Sequence, residues 1–234
     1  MNRQAQAAVL FLLGASLLHA SLTDLYLRYV KEGLRPLVLL SGAVLIAAAL
    51  ATVWYERRRS DGHAGHHEPR VSWLLALPVL ALILVAPPAL GSYSAVRTGT
   101  ALQEPYGFSK LPESGPLRLA LADYAGRAVY DDGRSLRDRQ LKITGFLALD
   151  RDGTPYLVRM TLNCCAADAQ PVKVGLTGHI PPVLQPDTWL EVTGTYTDHR
   201  THDPVNDGPI PFIEVSEARP VAQPRDPYDE TWNS

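Results

Sequence analysis

Sulfur is scarce in this chain, with two cysteines and two methionines in 234 residues. The cysteines are neighbours, Cys164 and Cys165, so no other thiol exists to staple distant parts of the fold. Familiar enzyme signatures are missing too. There is no Gly-x-Ser-x-Gly, no phosphate loop, no His-Glu-x-x-His and no Gly-x-Gly-x-x-Gly. The expectation is therefore a protein that is not an enzyme. Excess positive charge is also absent, since the formal net charge is −2. Beyond Leu90, 14 basic residues stand against 19 acidic ones, which argues against nucleic acid as a partner.

Charge is missing altogether from three stretches. Residues 5–22, 36–55 and 71–90 contain no Asp, Glu, Lys or Arg. Each approaches the ~20 apolar residues a helix needs to cross a hydrocarbon core. In lipid the backbone must bond within its own segment, so these runs predict three transmembrane helices and a multi-pass protein of the cell membrane. A cleaved signal peptide would also explain the first run, but no clean small-x-small site follows it and two further spans come after. Arg3, Arg57, Arg58, Arg59 and Arg70 outnumber Arg28, Lys31 and Arg35 on the first connection. That bias puts the N-terminus inside and, after three spans, an extracytoplasmic C-terminal domain outside.

The pattern changes after Leu90. Residues 91–115 are rich in Gly, Ser, Thr and Pro and read as a linker. Helical spacing predicts a helix over 116–130. Period-two alternation then predicts strands at 140–149, 156–162, 171–177, 189–196 and 212–218. One flanking helix and five short strands over 116–219 suit a small β-barrel of OB-like type, and 220–234 reads as an extended, solvated tail.

Chemistry concentrates in Arg159-Met-Thr-Leu-Asn-Cys164-Cys165-Ala-Ala-Asp168. Two adjacent thiols can ligate Zn²⁺ or another transition metal, close a strained vicinal disulfide, perform thiol exchange, or simply pack. Side chains on an extended strand alternate, so a shared metal ion requires a turn here. Arg159 and Asp168 flank the pair and could clamp such a turn as an ion pair. Two histidine groups are weaker metal candidates. His63, His66 and His67 lie in the loop between the second and third spans. His199 and His202 lie with Asp198 and Asp203 in the expected connection before the last strand, where an exposed hairpin tip would have the same composition.

The His-rich loop, Pro87-Pro-x-Leu-Gly-Ser92 and the Cys164-Cys-Ala-Ala-Asp168-Ala169 motif together resemble the YcgQ-like family of bacterial membrane proteins. That resemblance implies a subunit of a two-component permease working beside a larger polytopic partner, and it carries no residue roles beyond the motif. Function is thus expected to be that of an accessory membrane subunit presenting its Cys-Cys motif for transition-metal handling. The alternative is a membrane-tethered thiol-redox enzyme, or an extracytoplasmic metal or cofactor chaperone without a channel.

Overall fold

The computed structural model describes residues 3–59, 74, 76–85, 87–180 and 185–230. It divides into two compact units, Met1–Pro88 and Ala89–Ser234.

The first unit is helical. Helix α1 spans Arg3–Leu22, 3-10 turns follow at Leu25–Arg28 and Glu32–Leu34, and helix α2 spans Arg35–Arg59. Helices α1 and α2 are long and apolar enough to cross a membrane. Leu37, Leu40, Val44 and Leu50 are exposed on α2, the surface a bilayer would cover. Ser16, Ser21, Ser41 and Thr52 donate their hydroxyls to carbonyls four residues back at 2.6–2.8 Å, so none offers an unpaired polar group to lipid. The third expected span is only partly described: helix α3 covers Ala76–Val85, ten residues, and residues 71–73 lie outside the described residues.

Helices α1 and α2 meet through glycine. A Cβ added to Gly14 would lie 2.8 Å from the Gly42 carbonyl oxygen, and one added to Gly42 would lie 3.0 Å from that of Gly14. Backbones come this close only when neither residue has a side chain.

The second unit is a barrel with additions. Helix α4 (Ser92–Arg97) and strand β1 (Leu117–Arg118) precede helix α5 (Leu121–Tyr130). Then come β2 (Leu141–Leu149), β3 (Pro155–Leu162), β4 (Gln170–Gly178), β5 (Trp189–His202), β6 (Pro209–Pro220) and β7 (Tyr228–Glu230). The sheet order is β1-β2-β5-β6-β4-β3-β7, and an added β2–β3 pairing closes the five strands β2 to β6 into a barrel. Strands β4 and β6 run parallel, as do β1 with β2 and β3 with β7; the other pairs are antiparallel. Gly194 sits at a register shift in β5, where a Cβ would strike the Glu214 carbonyl, so the bend needs glycine.

Leu141, Ile143, Leu157, Val174, Leu190 and Ile213 are among the core, and Leu121 and Tyr124 of α5 join them. The Tyr124 hydroxyl donates to the Phe212 carbonyl at 2.6 Å, satisfying the one polar atom it brings inside. A second apolar layer, which includes Phe146, Tyr156, Val158, Met160 and Phe212, packs with Ala95 of α4 and Tyr228 of β7.

Several expected boundaries move. The helix foreseen from Pro116 begins at Leu121, because Leu117 and Leu119 donate instead to the carbonyls of Gln140 and Lys142 and lengthen the sheet. Strands β5 and β6 run well past the expected 189–196 and 212–218. The segment read as a linker carries α4, with Ala95 and Leu102 buried. The tail is not merely solvated, since β7 pairs with β3.

Glu191 ties four strands together. Its carboxylate accepts from Arg118 of β1 (3.1 Å), Lys142 of β2 (3.1 Å) and Arg219 of β6 (2.9 Å). Arg219 and then Lys142 hold its carboxyl down at about 2, below the usual carboxylate range.

Two predictions follow from this packing. Gly14→Val forces α1 off α2, so the helical unit in detergent melts several degrees lower, whereas Gly33→Val, with nothing within 4 Å of the added carbon, melts close to wild type. Glu191 is ionised in the fold at pH values where it is protonated in the unfolded chain, so its stabilisation is full above about 4.5 and disappears as pH falls towards about 2. Glu191→Gln should therefore be less stable at pH 7 but lose less stability than wild type between those two values, as measured by denaturant unfolding across pH.

Candidate functional site

Strand β3 ends at Leu162, and the chain must turn before β4 starts at Gln170. The Thr161 hydroxyl donates to the Gln170 carbonyl at 3.1 Å and closes the base of the turn. Asn163 and Cys164 are exposed and Cys165 is half-buried, followed by a 3-10 turn over Ala166–Asp168.

Asp168 organises this segment. Its Oδ1 accepts from the amides of Asn163 (3.1 Å) and Cys165 (3.4 Å), and its Oδ2 accepts from that of Cys164 (2.9 Å). Three consecutive backbone donors, which the ladder no longer serves, are thereby taken up by one carboxylate. The chain folds around it, and the alternation that would separate adjacent side chains is cancelled. Cys164 Sγ and Cys165 Sγ stand 3.6 Å apart, and both cysteines are free thiols.

The two sulfurs and a carboxylate oxygen of Asp168 all lie within 4.8 Å of one another. Among the described residues this is the only group of three or more such side chains placed to share a metal ion. Hydrogen bonding to Asp168, and secondarily to Cys165, pushes the Cys164 thiol up to about 12. The Cys164 thiol and then the backbone amides in turn hold the Asp168 carboxyl below its ordinary value. At neutral pH the site is thus a protonated Cys164 thiol beside a carboxylate. That is poor for a thiolate nucleophile, and a cation binding here has to displace the proton from Cys164.

The remaining expected residues are placed differently. Arg159 does not pair with Asp168. Its Nε donates to Asp229 Oδ1 at 2.9 Å, its Nη2 donates to the carbonyls of Tyr228 (3.0 Å) and Asp226 (3.2 Å), and its guanidinium lies 5.1 Å from the Trp189 ring centroid. A buried guanidinium needs full satisfaction, and the returning C-terminal strand supplies it. His199 and His202 belong to strand β5 rather than to a hairpin tip. The His199 ring lies 4.1 Å from that of Phe212, and His202 is exposed beside Pro209. Asp203 is buried, with Lys173 Nζ at 2.7 Å and the Thr100 amide at 2.9 Å on its Oδ2. His63, His66 and His67 lie outside the described residues.

Sequence reasoning missed Asp229 and Lys173, the partners of Arg159 and Asp203. The available signal for Asp229 was Tyr228-Asp229-Glu230, a short aromatic-charged alternation in a segment whose prolines suggested a loose end.

Residues 109–229 match the DUF1980 C-terminal domain, a span that contains the Cys-Cys turn and ends on the Asp229 that partners Arg159. No match is found among the curated proteins or among the solved structures.

Asp229→Asn leaves a buried guanidinium without its counter-charge and should destabilise the barrel by on the order of 3 kcal/mol. Asp168→Asn, at the exposed turn, should cost much less, and denaturant unfolding of the two variants side by side checks the assignment.

Proposed function

This chain belongs to the DUF1980 C-terminal domain family, and from that premise we propose that Cys164, Cys165 and Asp168 bind one thiophilic transition-metal ion. The observation that carries this reading is the sulfur spacing. A tetrahedral ion with metal–sulfur bonds of about 2.3 Å separates its two sulfurs by about 3.8 Å, close to the 3.6 Å already present. Two thiolates select zinc or copper(I) over magnesium or calcium, and one carboxylate oxygen completes a three-donor shell. The fourth position stays open to water or to a donor from elsewhere. An exposed, three-donor site suits an ion in transit better than a structural one.

The strand order β2-β3-β4-β6-β5 closing on β2, with β4 and β6 parallel, supports an OB-type barrel. The two apolar helices support a membrane anchor, and the excess of arginine at the expected inner ends, taken with a third span at residues 71–90, supports a barrel outside the cytoplasm. Three expected spans are few for the paired repeats from which secondary transporters build a path. The path would then belong to a polytopic permease partner, as the resemblance to the YcgQ-like family implies, and this chain would be its accessory subunit. Elevation of the Cys164 thiol makes it a slow nucleophile, which weighs against the rival thiol enzyme and leaves open only slow exchange with an external disulfide. No catalytic residue is assigned.

Titrating zinc into the reduced full-length chain in detergent, against a chromophoric chelator, should give one equivalent that Cys164→Ser and Cys165→Ser abolish. Asp168→Asn should weaken it roughly 10–100-fold. Equal zinc retention in all four chains removes the metal reading. Cross-linking in native membranes should recover a polytopic protein, and recovery of this chain alone removes the permease role while leaving the site.

A further inference from the structure

The geometry points to a redox gate on the same site: Cys164 and Cys165 join as a vicinal disulfide on meeting an external disulfide, and the ring and the bound metal ion exclude each other. This rests on the metal reading above and adds the condition under which the site can load.

Three features of the turn support it. First, the two sulfurs are 3.6 Å apart, so bonding requires them to approach by about 1.6 Å to reach the ~2.05 Å of a disulfide. Second, Cys164 is exposed on a turn at the end of β3, where an external sulfur can reach it. Third, the chain has no other cysteine, so an intramolecular bond can form only here and no resolving thiol competes. Arg159, the nearest basic residue in sequence, is engaged by Asp229, Tyr228 and Asp226 and supplies no counter-charge to Cys164, so exchange with an external disulfide is slow.

The exchange balances with a low-molecular-weight or protein disulfide as oxidant. One thiolate attacks a sulfur of that disulfide, forming a mixed disulfide and releasing the first thiol. The neighbouring Cys sulfur then attacks the mixed disulfide at the protein-bound sulfur, expelling the second thiol. Two electrons pass from the Cys pair to the oxidant, and the two cysteine protons end on the two released thiols.

Once the ring closes, both thiolate charges are gone. Asp168 alone then faces the ion, and one carboxylate that also accepts from the amides of Asn163, Cys164 and Cys165 holds it weakly. The ring is also strained, because adjacent Cα atoms lie ~3.8 Å apart, below the ~4.4–6.8 Å that disulfides prefer. Strained, exposed disulfides are the easily reduced ones, so mild thiol should reopen it. A bound ion does the converse, holding both sulfurs as metal thiolates and withholding them from the oxidant.

The test uses the full-length chain in detergent with His63, His66 and His67 replaced by Gln, so that zinc uptake reports on the barrel. Treatment with oxidised glutathione should remove two hydrogens from the intact mass and abolish one equivalent of bound zinc, and dithiothreitol should restore both. Zinc added first should slow the mass change at least tenfold. In Cys165→Ser the same treatment should leave a stable glutathione adduct on Cys164. An oxidised chain that keeps its zinc, or a wild-type chain that stops at glutathione adducts or at cross-linked dimers, overturns the gate alone. A reduced chain that takes up no zinc overturns the metal reading and the gate with it, even where the ring forms.

Discussion

The arrangement of the site depends on one carboxylate. Without Asp168, residues 163–165 would leave β3 as extended chain, and Cys164 and Cys165 would point to opposite sides. By accepting from three successive amides, Asp168 replaces the ladder partners that β3 has lost and bends the chain so that both sulfurs face one place. The same carboxylate sets the protonation of what it gathers. It stabilises the Cys164 thiol over the thiolate, so the turn that favours joint ligation disfavours a solitary nucleophile. Three groups that are each anionic when they ligate stand within 4.8 Å of one another; the proton on Cys164 relieves their crowding at rest, and a cation or a covalent bond between the sulfurs can take its place. The two proposals for the site are the two forms of that relief.

A turn of this kind holds its shape only if both of its strands do. Strand β4 is held in the barrel by β3 and β6. The last residues of β3 lie past its pairing with β2 and take β7 as their second neighbour. Arg159 fixes that neighbour by reaching Asp229 and two carbonyls of the same segment. Its contribution to the site is therefore indirect: it anchors the strand from which the Cys turn departs.

How far the sequence could be read followed how local each signal was. Strands β2 and β4 alternate within a few residues and β3 follows directly on the Asp150–Gly153 turn, so all three were legible close to their ends. Strand β5 continues through Asp198, His199, Arg200 and His202, where the ladder extends beyond the core and exposed polar residues erase the alternation. Composition there resembles a loop, and only the pairing of Arg200, Thr201 and His202 with β6 distinguishes the two. The partner of Arg159 was hidden for a different reason. Burial of a charge demands compensation, but Asp168 at nine residues and Asp229 at seventy satisfy that demand equally well on paper. The Cys-Cys motif was visible at once as the place where chemistry gathers, whereas whether its sulfurs could share an ion depended on backbone direction at Asp168.

Exposure finally separates a site that transfers from one that holds. Structural zinc sites close four protein ligands around the ion and bury it, so the metal leaves only when the fold does. Here three donors sit on a turn whose hydrogen bonds are complete among themselves through Asp168, and the barrel core is complete without them. Metal loading, as proposed for this turn, would therefore contribute little to folding, and its loss would leave the barrel intact. With folding and loading uncoupled, affinity at the turn can be set by an incoming fourth ligand or by the oxidation state of two sulfurs, neither of which the rest of the molecule has to follow.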